Sequence, residues 1–275
     1  MTNNQRTVLV TGEFRQYGAP RVRFLEEASK LGRVTVLLED DHSESLRDGG
    51  TPNFPLEERV YLLENNRYVS SVTVAMDGAG PYDPDLPKDP KPDAWVVEEK
   101  DDTPEKRKAC ERRGIAYRVV RNADLEGYPI LPPPAPPSGR KKVIVTGCFD
   151  WFHSGHVRFF EEVSALGDLY VVVGSDRNVR LLKGEGHPLF HQEERRYLVQ
   201  SVRYVTQALI SSGAGWMDAE PEIDRIKPDL YAVNEDGDQP EKREYCRAHG
   251  LEYVVLRREP KPGLPRRQST DLRGF

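Results

Sequence analysis

The sequence predicts an α/β protein built from two similar domains, each a parallel sheet flanked by helices. Three observations lead to this prediction. The 275-residue chain contains an internal repeat, each copy alternates short apolar runs with amphipathic stretches, and a proline-rich segment separates the copies. Alternating strands and helices favour a parallel sheet that is covered by helices on both faces.

The internal repeat has the period of a whole domain. A shift of 135 positions aligns residues 11–32 with 146–167, and 11 of these 22 aligned residues are identical. With one added residue, further segments align as far as residue 250. A repeat unit of this size indicates two tandem domains rather than the short units of a solenoid.

The segment YPILPPPAPPSGRKK, residues 128–142, separates the two copies. Its prolines cannot donate ladder hydrogen bonds and they favour an extended, semi-rigid spacer. The sequence therefore predicts a first domain at residues 1–127, a linker at 128–142 and a second domain at 143–275.

The patterns that predict strands and helices are clearest in the second copy. Short apolar runs predict strands at 143–147, 169–174, 230–233 and 253–256. Apolar residues at helical spacing, or charged amphipathic stretches, predict helices at 157–166, 193–202 and 239–249. In a parallel sheet of this kind, ligands bind beyond the carboxyl ends of the strands.

Composition and charge exclude several classes of protein. A formal net charge of −5 argues against a nucleic-acid-binding surface. The three cysteines, Cys110, Cys148 and Cys246, show no disulfide spacing. The N-terminal residues lack a signal-peptide pattern, and no apolar run approaches the roughly 20 residues of a membrane helix. We expect a cytoplasmic protein with neither a nucleic acid nor a membrane as its partner.

The segment TGCFDWFHSGH, residues 146–156, carries the strongest chemical signal. A strand ends at Gly147, a turn follows, and HSGH begins a helix. His153 and His156 are three positions apart and point to the same side of its first turn. The free N–H groups and positive dipole of the helix start favour an anion there. Such preorganised donors suit the charge that develops when a triphosphate reacts.

The motif GCFDWFHSGH resembles the G-x-F-D-x-x-H-x-G-H motif of the cytidylyltransferase-like nucleotidyltransferases. Glycerol-3-phosphate and ethanolamine-phosphate cytidylyltransferases are the most similar in pattern. The resemblance covers the second copy and, more weakly, the first, and it implies two tandem Rossmann-like domains. It also implies transfer of CMP from CTP to a phosphorylated small alcohol or polyol, with release of pyrophosphate, and Mg²⁺ bound with the nucleotide.

The resemblance also implies roles for individual residues. Catalytic roles are implied for His153, His156, Lys183 and Arg195. Nucleotide binding is implied for Gly147, Cys148, Phe149, Asp150, Gly155, Asp236, Arg267, Ser269 and Thr270. Cys148 occupies a variable position of the family motif, so we expect its side chain to pack. Alternatives remain open at two places: Arg196 for Arg195, and Arg258 or Arg266 for Arg267.

His187 and His191 are four residues apart, as metal ligands often are. No cysteine or acidic constellation in the sequence completes such a site. We therefore expect no metal held by protein ligands, and a divalent ion held mainly by the nucleotide phosphates.

The first copy lacks the residues that would handle phosphate. In the repeat alignment Gly18 stands at the position of His153, Arg21 at that of His156, and Arg15 at that of Asp150. We therefore expect a catalytically silent domain that retains the fold. It would act as a built-in partner in an intramolecular pseudo-dimer. A homodimer of the chain, and a different ligand for the first copy, both remain open.

Two other functions also remain open from the sequence. One is adenylyl transfer from ATP, as in archaeal FAD-synthetase-like relatives that have a similar motif. The other is a nucleotide-sensing or scaffold module without turnover, although the histidines, the lysine and the Ser-Thr tail of the second copy favour an enzyme.

Overall fold

A computed structural model describes residues 6–12, 14–41, 53–75, 91–131 and 138–268. The chain divides into two compact units, Met1–Gly127 and Tyr128–Phe275. The first strand of the second unit begins at Lys142, the last residue of the linker predicted from the sequence. Within the described ranges, no helix has the length and apolar character needed to cross a membrane.

The described part of the first unit contains five strands and three α-helices. In chain order they are β1 (Thr7–Gly12), α1 (Ala19–Ser29), β2 (Arg33–Leu38), α2 (Leu56–Glu64), β3 (Val69–Val74), β4 (Ala94–Glu98), α3 (Pro104–Arg113) and β5 (Ala116–Val120). The limits of α3 follow from local chemistry. The Thr103 hydroxyl accepts a hydrogen bond from the Lys106 N–H, and Gly114 adopts the left-handed conformation that ends many helices.

The second unit contains every strand and helix predicted for it, with limits shifted by a few residues. In chain order its elements are β6 (Lys142–Gly147), α4 (Ser154–Ser164), β7 (Asp168–Val173), α5 (Asp176–Lys183), α6 (Gln192–Ser201), β8 (Val205–Ile210), α7 (Glu220–Ile226), β9 (Leu230–Asn234), α8 (Pro240–Ala248) and β10 (Glu252–Leu256). The sequence patterns did not predict α5, β8 or α7. Lys183 is the last residue of α5.

The two sheets have the same topology. The strand order is β3-β2-β1-β4-β5 in the first unit and β8-β7-β6-β9-β10 in the second, and all strand pairs are parallel. Each sheet has a register irregularity at the equivalent place, between Val34 and Thr35 and between Leu169 and Tyr170. The structure confirms the predicted α/β fold, with two parallel five-stranded sheets flanked by helices.

The central strands form the core of each unit because helices cover both faces of the sheet. Val143, Ile144 and Val145 of β6 have no exposed surface, and all five residues of β4 are buried. Each fully buried aliphatic side chain of this kind contributes about 1.5–3 kcal/mol. Cys110 and Cys246 are unpaired and buried, which places their thiols in the two cores.

The same backbone constraints recur in both units. Phe14 and Phe149 follow β1 and β6 with φ of 51° and 53°, a left-handed conformation that is uncommon for such residues. A Cβ atom on Gly32 would lie 2.2 Å from the Arg6 carbonyl oxygen, and one on Gly167 would lie 2.1 Å from that of Lys141. Glycine is therefore required at both equivalent positions, where the chain turns from a helix into the second strand.

Candidate active site

The turn after β6 brings the motif residues together. Phe149, with its positive φ, folds its ring back over Gly147, so a Cβ atom at Gly147 would lie 2.7 Å from that ring. The Phe149 ring also lies against the imidazole of His156, with ring centroids 5.3 Å apart. The turn thus places the start of α4 directly beyond the carboxyl end of β6.

His153 and His156 orient each other at the start of α4. His153 is the N-cap, and its Nδ1 accepts the N–H of Gly155 at 3.1 Å. The Nδ1 of His156 accepts the backbone N–H of His153 at 3.3 Å, and the two rings stack with centroids 3.9 Å apart. Because each Nδ1 accepts, the proton of each neutral ring lies on Nε2.

The geometry keeps the two imidazoles neutral. His153 is only 1% exposed, and burial lowers its pKa to about 3, with smaller contributions from the Arg258 and Arg267 guanidinium groups. Burial likewise holds the pKa of His156 well below its usual value, with help from His153, Arg258 and Lys183. The Nε2 atom of His153 is buried without a hydrogen-bond partner among the described residues. This N–H group is therefore held in place and can donate a hydrogen bond to a ligand.

A cavity of about 160 Å³ lies in front of these rings, between the carboxyl ends of β6 and β9. The motif contributes one wall, formed by Gly147, Cys148, Phe149, His153, Gly155 and His156. The β9 side contributes the opposite wall, formed by Ala232, Val233, Asn234, Asp236, Gly237 and Lys242.

Arginine side chains border the cavity on the side of the C-terminal segment. Arg258 lines it and forms an ion pair with Asp236, and one of its N–H groups donates to the Arg267 carbonyl oxygen at 2.8 Å. A shallow adjoining cleft continues past Gly155, and five arginines and two glutamates line it: Arg158, Arg257, Arg258, Arg266, Arg267, Glu162 and Glu259. Four of these arginines, Arg158, Arg257, Arg258 and Arg266, form ion pairs with neighbouring carboxylates. Ser269 and Thr270 lie outside the described residues.

Arg195 lies behind the motif rather than in the cavity wall. Its side chain is fully buried and donates to the carbonyl oxygens of Phe190 (2.9 Å), Cys148 (2.6 Å) and Gly174 (2.8 Å). It also forms an ion pair with Asp176 at 2.7 Å. The guanidinium thus ties the ends of β6 and β7 together.

The first unit contains the same buried pair. Arg59, the counterpart of Arg195, is 1% exposed, donates to the Glu39 carbonyl oxygen at 3.0 Å and forms an ion pair with Asp41. Because this arrangement occurs in the unit that lacks the histidines, it supports the fold of the strand ends. Arg196 instead donates to the carbonyl oxygens of Tyr128 and Pro129, at 2.9 and 3.1 Å.

Asp150, Cys148 and Lys183 occupy three different settings. The Asp150 carboxylate is buried and accepts the backbone N–H groups of Leu189 and Phe190, so it holds the loop before α6 against the motif. Cys148 lines the cavity, and burial raises its pKa. Lys183 is exposed at the end of α5, and its charge helps to lower the pKa of His156.

The donor set of the cavity fits an anion better than a bare cation. Its ligand-facing groups are imidazole N–H, guanidinium and ammonium groups, which suit phosphate oxygens. Among the described residues, no cluster of three or more His, Cys, Asp or Glu side chains could hold a metal ion.

Two residues of the site, Asn234 and Lys242, were not predicted from the sequence. Asn234 ends β9 and Lys242 lies in the first turn of α8, and both line the cavity. Their only sequence signal was their place after a strand of a parallel sheet, where ligands bind.

The first unit fills the equivalent position with an ion pair. Arg21, at the position of His156, pairs with Glu98, which stands at the position of Asn234. Lys100 lies 3.0 Å from the same carboxylate. Asn122 stands at the position of Arg258. The charges that would meet a phosphate in the second unit are therefore either absent or paired within the first.

Comparison with known proteins places this site in a family. A family model described as cytidylyltransferase-like matches residues 144–264. FAD synthase from Ferroglobus placidus is 38% identical over 120 residues, which is 42% of this chain and 75% of the relative. The chain belongs to the cytidylyltransferase-like family. This cytidylyltransferase-like protein is therefore an enzyme of the nucleotidyltransferase class, and the family match lies in its second unit.

Two further proteins are similar to this cytidylyltransferase-like protein. The bifunctional protein HldE from Campylobacter concisus is 37% identical over 100 residues, or 36% of this chain and 21% of the relative. The solved structure of a lipopolysaccharide core biosynthesis protein from Thermoplasma volcanium aligns with a TM-score of 0.38 and 25% identity, covering 45% of this chain.

Proposed function

We propose that the second unit transfers CMP from CTP to the phosphate of a small phosphorylated alcohol or polyol and releases pyrophosphate. The observation that supports this proposal best is the pair of neutral imidazoles at the start of α4. Both residues line the cavity between β6 and β9, and each ring carries its proton on Nε2 because its Nδ1 accepts a backbone N–H.

In the proposed reaction, a phosphate oxygen of the acceptor attacks the α-phosphorus of CTP directly. The new P–O bond forms as the bond to the bridging oxygen of pyrophosphate breaks, and negative charge builds on the equatorial and leaving oxygens. Hydrogen bonds from the Nε2–H groups of His153 and His156 would strengthen as this charge develops. Fixed donors of this kind each account for roughly 10²–10³-fold in rate.

Residues around the two histidines would assist the reaction. Arg258, Arg267 and Lys183 would attract the triphosphate and stabilise its charge. Arg195 and Asp150 would act as positioning residues, because they hold the motif turn and the neighbouring loop in place. Mg²⁺, when bound, would neutralise charge on the β- and γ-phosphates. We expect turnover to cease when EDTA is added and to return with excess Mg²⁺.

We also propose that the first unit is catalytically silent and supports the second as a built-in partner. The Arg21–Glu98 ion pair at the position of His156 and Asn234 supports this proposal. A fragment of residues 128–275 that is monomeric, soluble and as active as the full chain would contradict the partner role.

ATP is a second candidate for the nucleotide, because the FAD synthases are among the relatives that match over most of their length. Pyrophosphate release should be measured with each of the four ribonucleoside triphosphates, against a panel of phosphorylated alcohols and FMN. Turnover with CTP and a phospho-alcohol supports the first proposal. Turnover only with ATP and FMN supports adenylyl transfer.

The variants His153→Asn and His156→Asn distinguish an enzyme from a module that only binds nucleotide. For an enzyme, we expect each variant to bind CTP with an affinity similar to that of the wild type and to release pyrophosphate about 100-fold more slowly. Unchanged turnover in both variants would contradict the proposed mechanism.

A further inference from the structure

The cavity contains an ion pair between two of its own lining residues, Arg258 and Asp236. The Nη1 of Arg258 donates to a carboxylate oxygen of Asp236. The Nη2 of Arg258 donates at 2.8 Å to the Arg267 carbonyl oxygen, which would lie 4.0 Å from a Cβ atom on Gly155. The guanidinium therefore lies close to the start of α4, and a carboxylate of the protein already occupies one of its terminal nitrogens.

The fold does not require this ion pair. The first unit has a lysine at the position of Asp236 and Asn122 at that of Arg258, so neither charge of the pair is present there. The backbone is nevertheless anchored in the same way in both units. The Glu235 carboxylate accepts the backbone N–H of Arg258 at 3.4 Å, and Glu99 accepts that of Asn122 at 3.0 Å. Arg258 is thus attached to the end of β9 independently of Asp236.

The ion pair is also too exposed to stabilise the unit by much. The side chain of Asp236 is 52% exposed and that of Arg258 is 23% exposed. Ion pairs in contact with water contribute little to the free energy of unfolding. The main effect of Asp236 is therefore on the charge that a ligand meets in the cavity, because its carboxylate offsets the charge of the guanidinium.

We propose that Asp236 competes with the phosphate groups of the substrate for Arg258, and so lowers the affinity of the second unit for triphosphate and pyrophosphate. This inference rests on the proposed function, in which a triphosphate lies at His153 and His156. An ionised carboxylate and a phosphate group are both acceptors, so they cannot bond to each other and their charges repel. A phosphate that binds Arg258 must therefore displace the carboxylate or lie beside it at a cost.

This competition would favour the release of pyrophosphate. A free guanidinium can bind phosphate oxygens through two parallel hydrogen bonds, which strengthens its hold on substrate and product alike. Asp236 pairs again with Arg258 as pyrophosphate leaves, so the emptied site does not retain an unpaired guanidinium. Asp236 thus acts on the affinity for the phosphate chain and not on the reacting phosphorus.

The test is calorimetric titration of the full chain with inorganic pyrophosphate and with CTP. Three proteins are compared: the wild type, Asp236→Asn and the matched control Asp238→Asn. Asp238 pairs with Arg243, and neither residue lines the cavity, so the control removes the same charge two residues away. We expect Asp236→Asn to bind pyrophosphate roughly 10-fold more tightly and CTP more tightly as well. Asp238→Asn should change either affinity by less than about 2-fold.

A double-mutant cycle assigns the effect to Arg258. In the background of Arg258→Gln, the change Asp236→Asn should raise the pyrophosphate affinity by less than about 3-fold, because the contested guanidinium is gone. An equal gain in both backgrounds would overturn the inference. Weaker binding of CTP by Asp236→Asn would also overturn it, since Asp236 would then bind the nucleotide itself, as would an unchanged affinity for pyrophosphate.

Pyrophosphate release with each nucleotide is measured in parallel. Tighter binding of pyrophosphate by Asp236→Asn, without turnover of any nucleotide by the wild type, would support the competition for Arg258 and contradict the proposed function. Turnover by the wild type, with the same pyrophosphate affinity in the wild type and Asp236→Asn, would contradict only the role of Asp236.

Discussion

Acidification should destabilise the second unit through His153. This imidazole is 1% exposed and has a pKa of about 3 in the folded protein, against 6.5 for an ordinary histidine. Below pH 6.5 the unfolded chain therefore binds a proton that the folded chain does not. Stability from the neutral ring is fully present above pH 6.5 and is lost as the pH falls towards 3.

The size of this effect follows from the difference between the two pKa values. Each pH unit between them costs about 1.4 kcal/mol, so acidification from pH 6.5 to pH 4.5 costs about 3 kcal/mol. The variant His153→Asn carries no titrating group at this position. Its stability should therefore fall less than that of the wild type over the same interval, by about 3 kcal/mol.

Urea unfolding at pH 7 and pH 4.5 measures this difference, with the fluorescence of Trp151 and Trp216 as the signal. Titrating groups outside the histidine pair, and Trp95 of the first unit, are common to both proteins, so they cancel when the two are compared. An equal loss of stability in wild type and variant would show that His153 titrates like an exposed histidine. The buried, neutral donor that underlies the proposed mechanism would then be refuted.

Two further predictions concern the positions around the motif. Gly155→Ala should reduce turnover about 100-fold without lowering the melting temperature. The new Cβ would lie 3.0 Å from the buried His153 ring, whereas alanine favours the helix. A melting scan and a pyrophosphate assay test this prediction, and undiminished turnover would contradict it. Arg195→Met and Arg59→Met should each destabilise their own unit by about 3 kcal/mol in urea unfolding, since each leaves carbonyl oxygens at the strand ends without their guanidinium donor. Only Arg195→Met should also slow turnover, and equal turnover in the two variants would exclude a positioning role for Arg195.

The fold was predictable because its signals are local. Short apolar runs and charged helical stretches indicated the strands and helices of a parallel sheet, and the internal repeat indicated two of them. The elements that were not predicted have weaker local signals. Helix α5 exposes Leu181 and Leu182, at 66% and 57%, so its apolar residues do not mark a buried face. Strand β8 is an edge strand with only two buried residues.

The site was predictable only in part. The motif placed His153, His156 and Gly155 at a helix start, because these residues adjoin one another in the chain. The sequence does not show that Arg195 and Asp236 have different structural environments. Arg195 is enclosed behind the motif, whereas Asp236 borders the cavity and pairs with Arg258.

The sequence by itself determined the repeat, the α/β class and the histidine pair, since each depends on residues that are neighbours in the chain or recur at a regular spacing. Only the tertiary structure decided which charged side chains meet the cavity. Lys242 and Lys106 have the same local sequence, PEKR, yet one faces open space and the other a tryptophan ring. Their difference arises from residues on other strands and turns, and packing between distant segments is not encoded in the pattern of either helix.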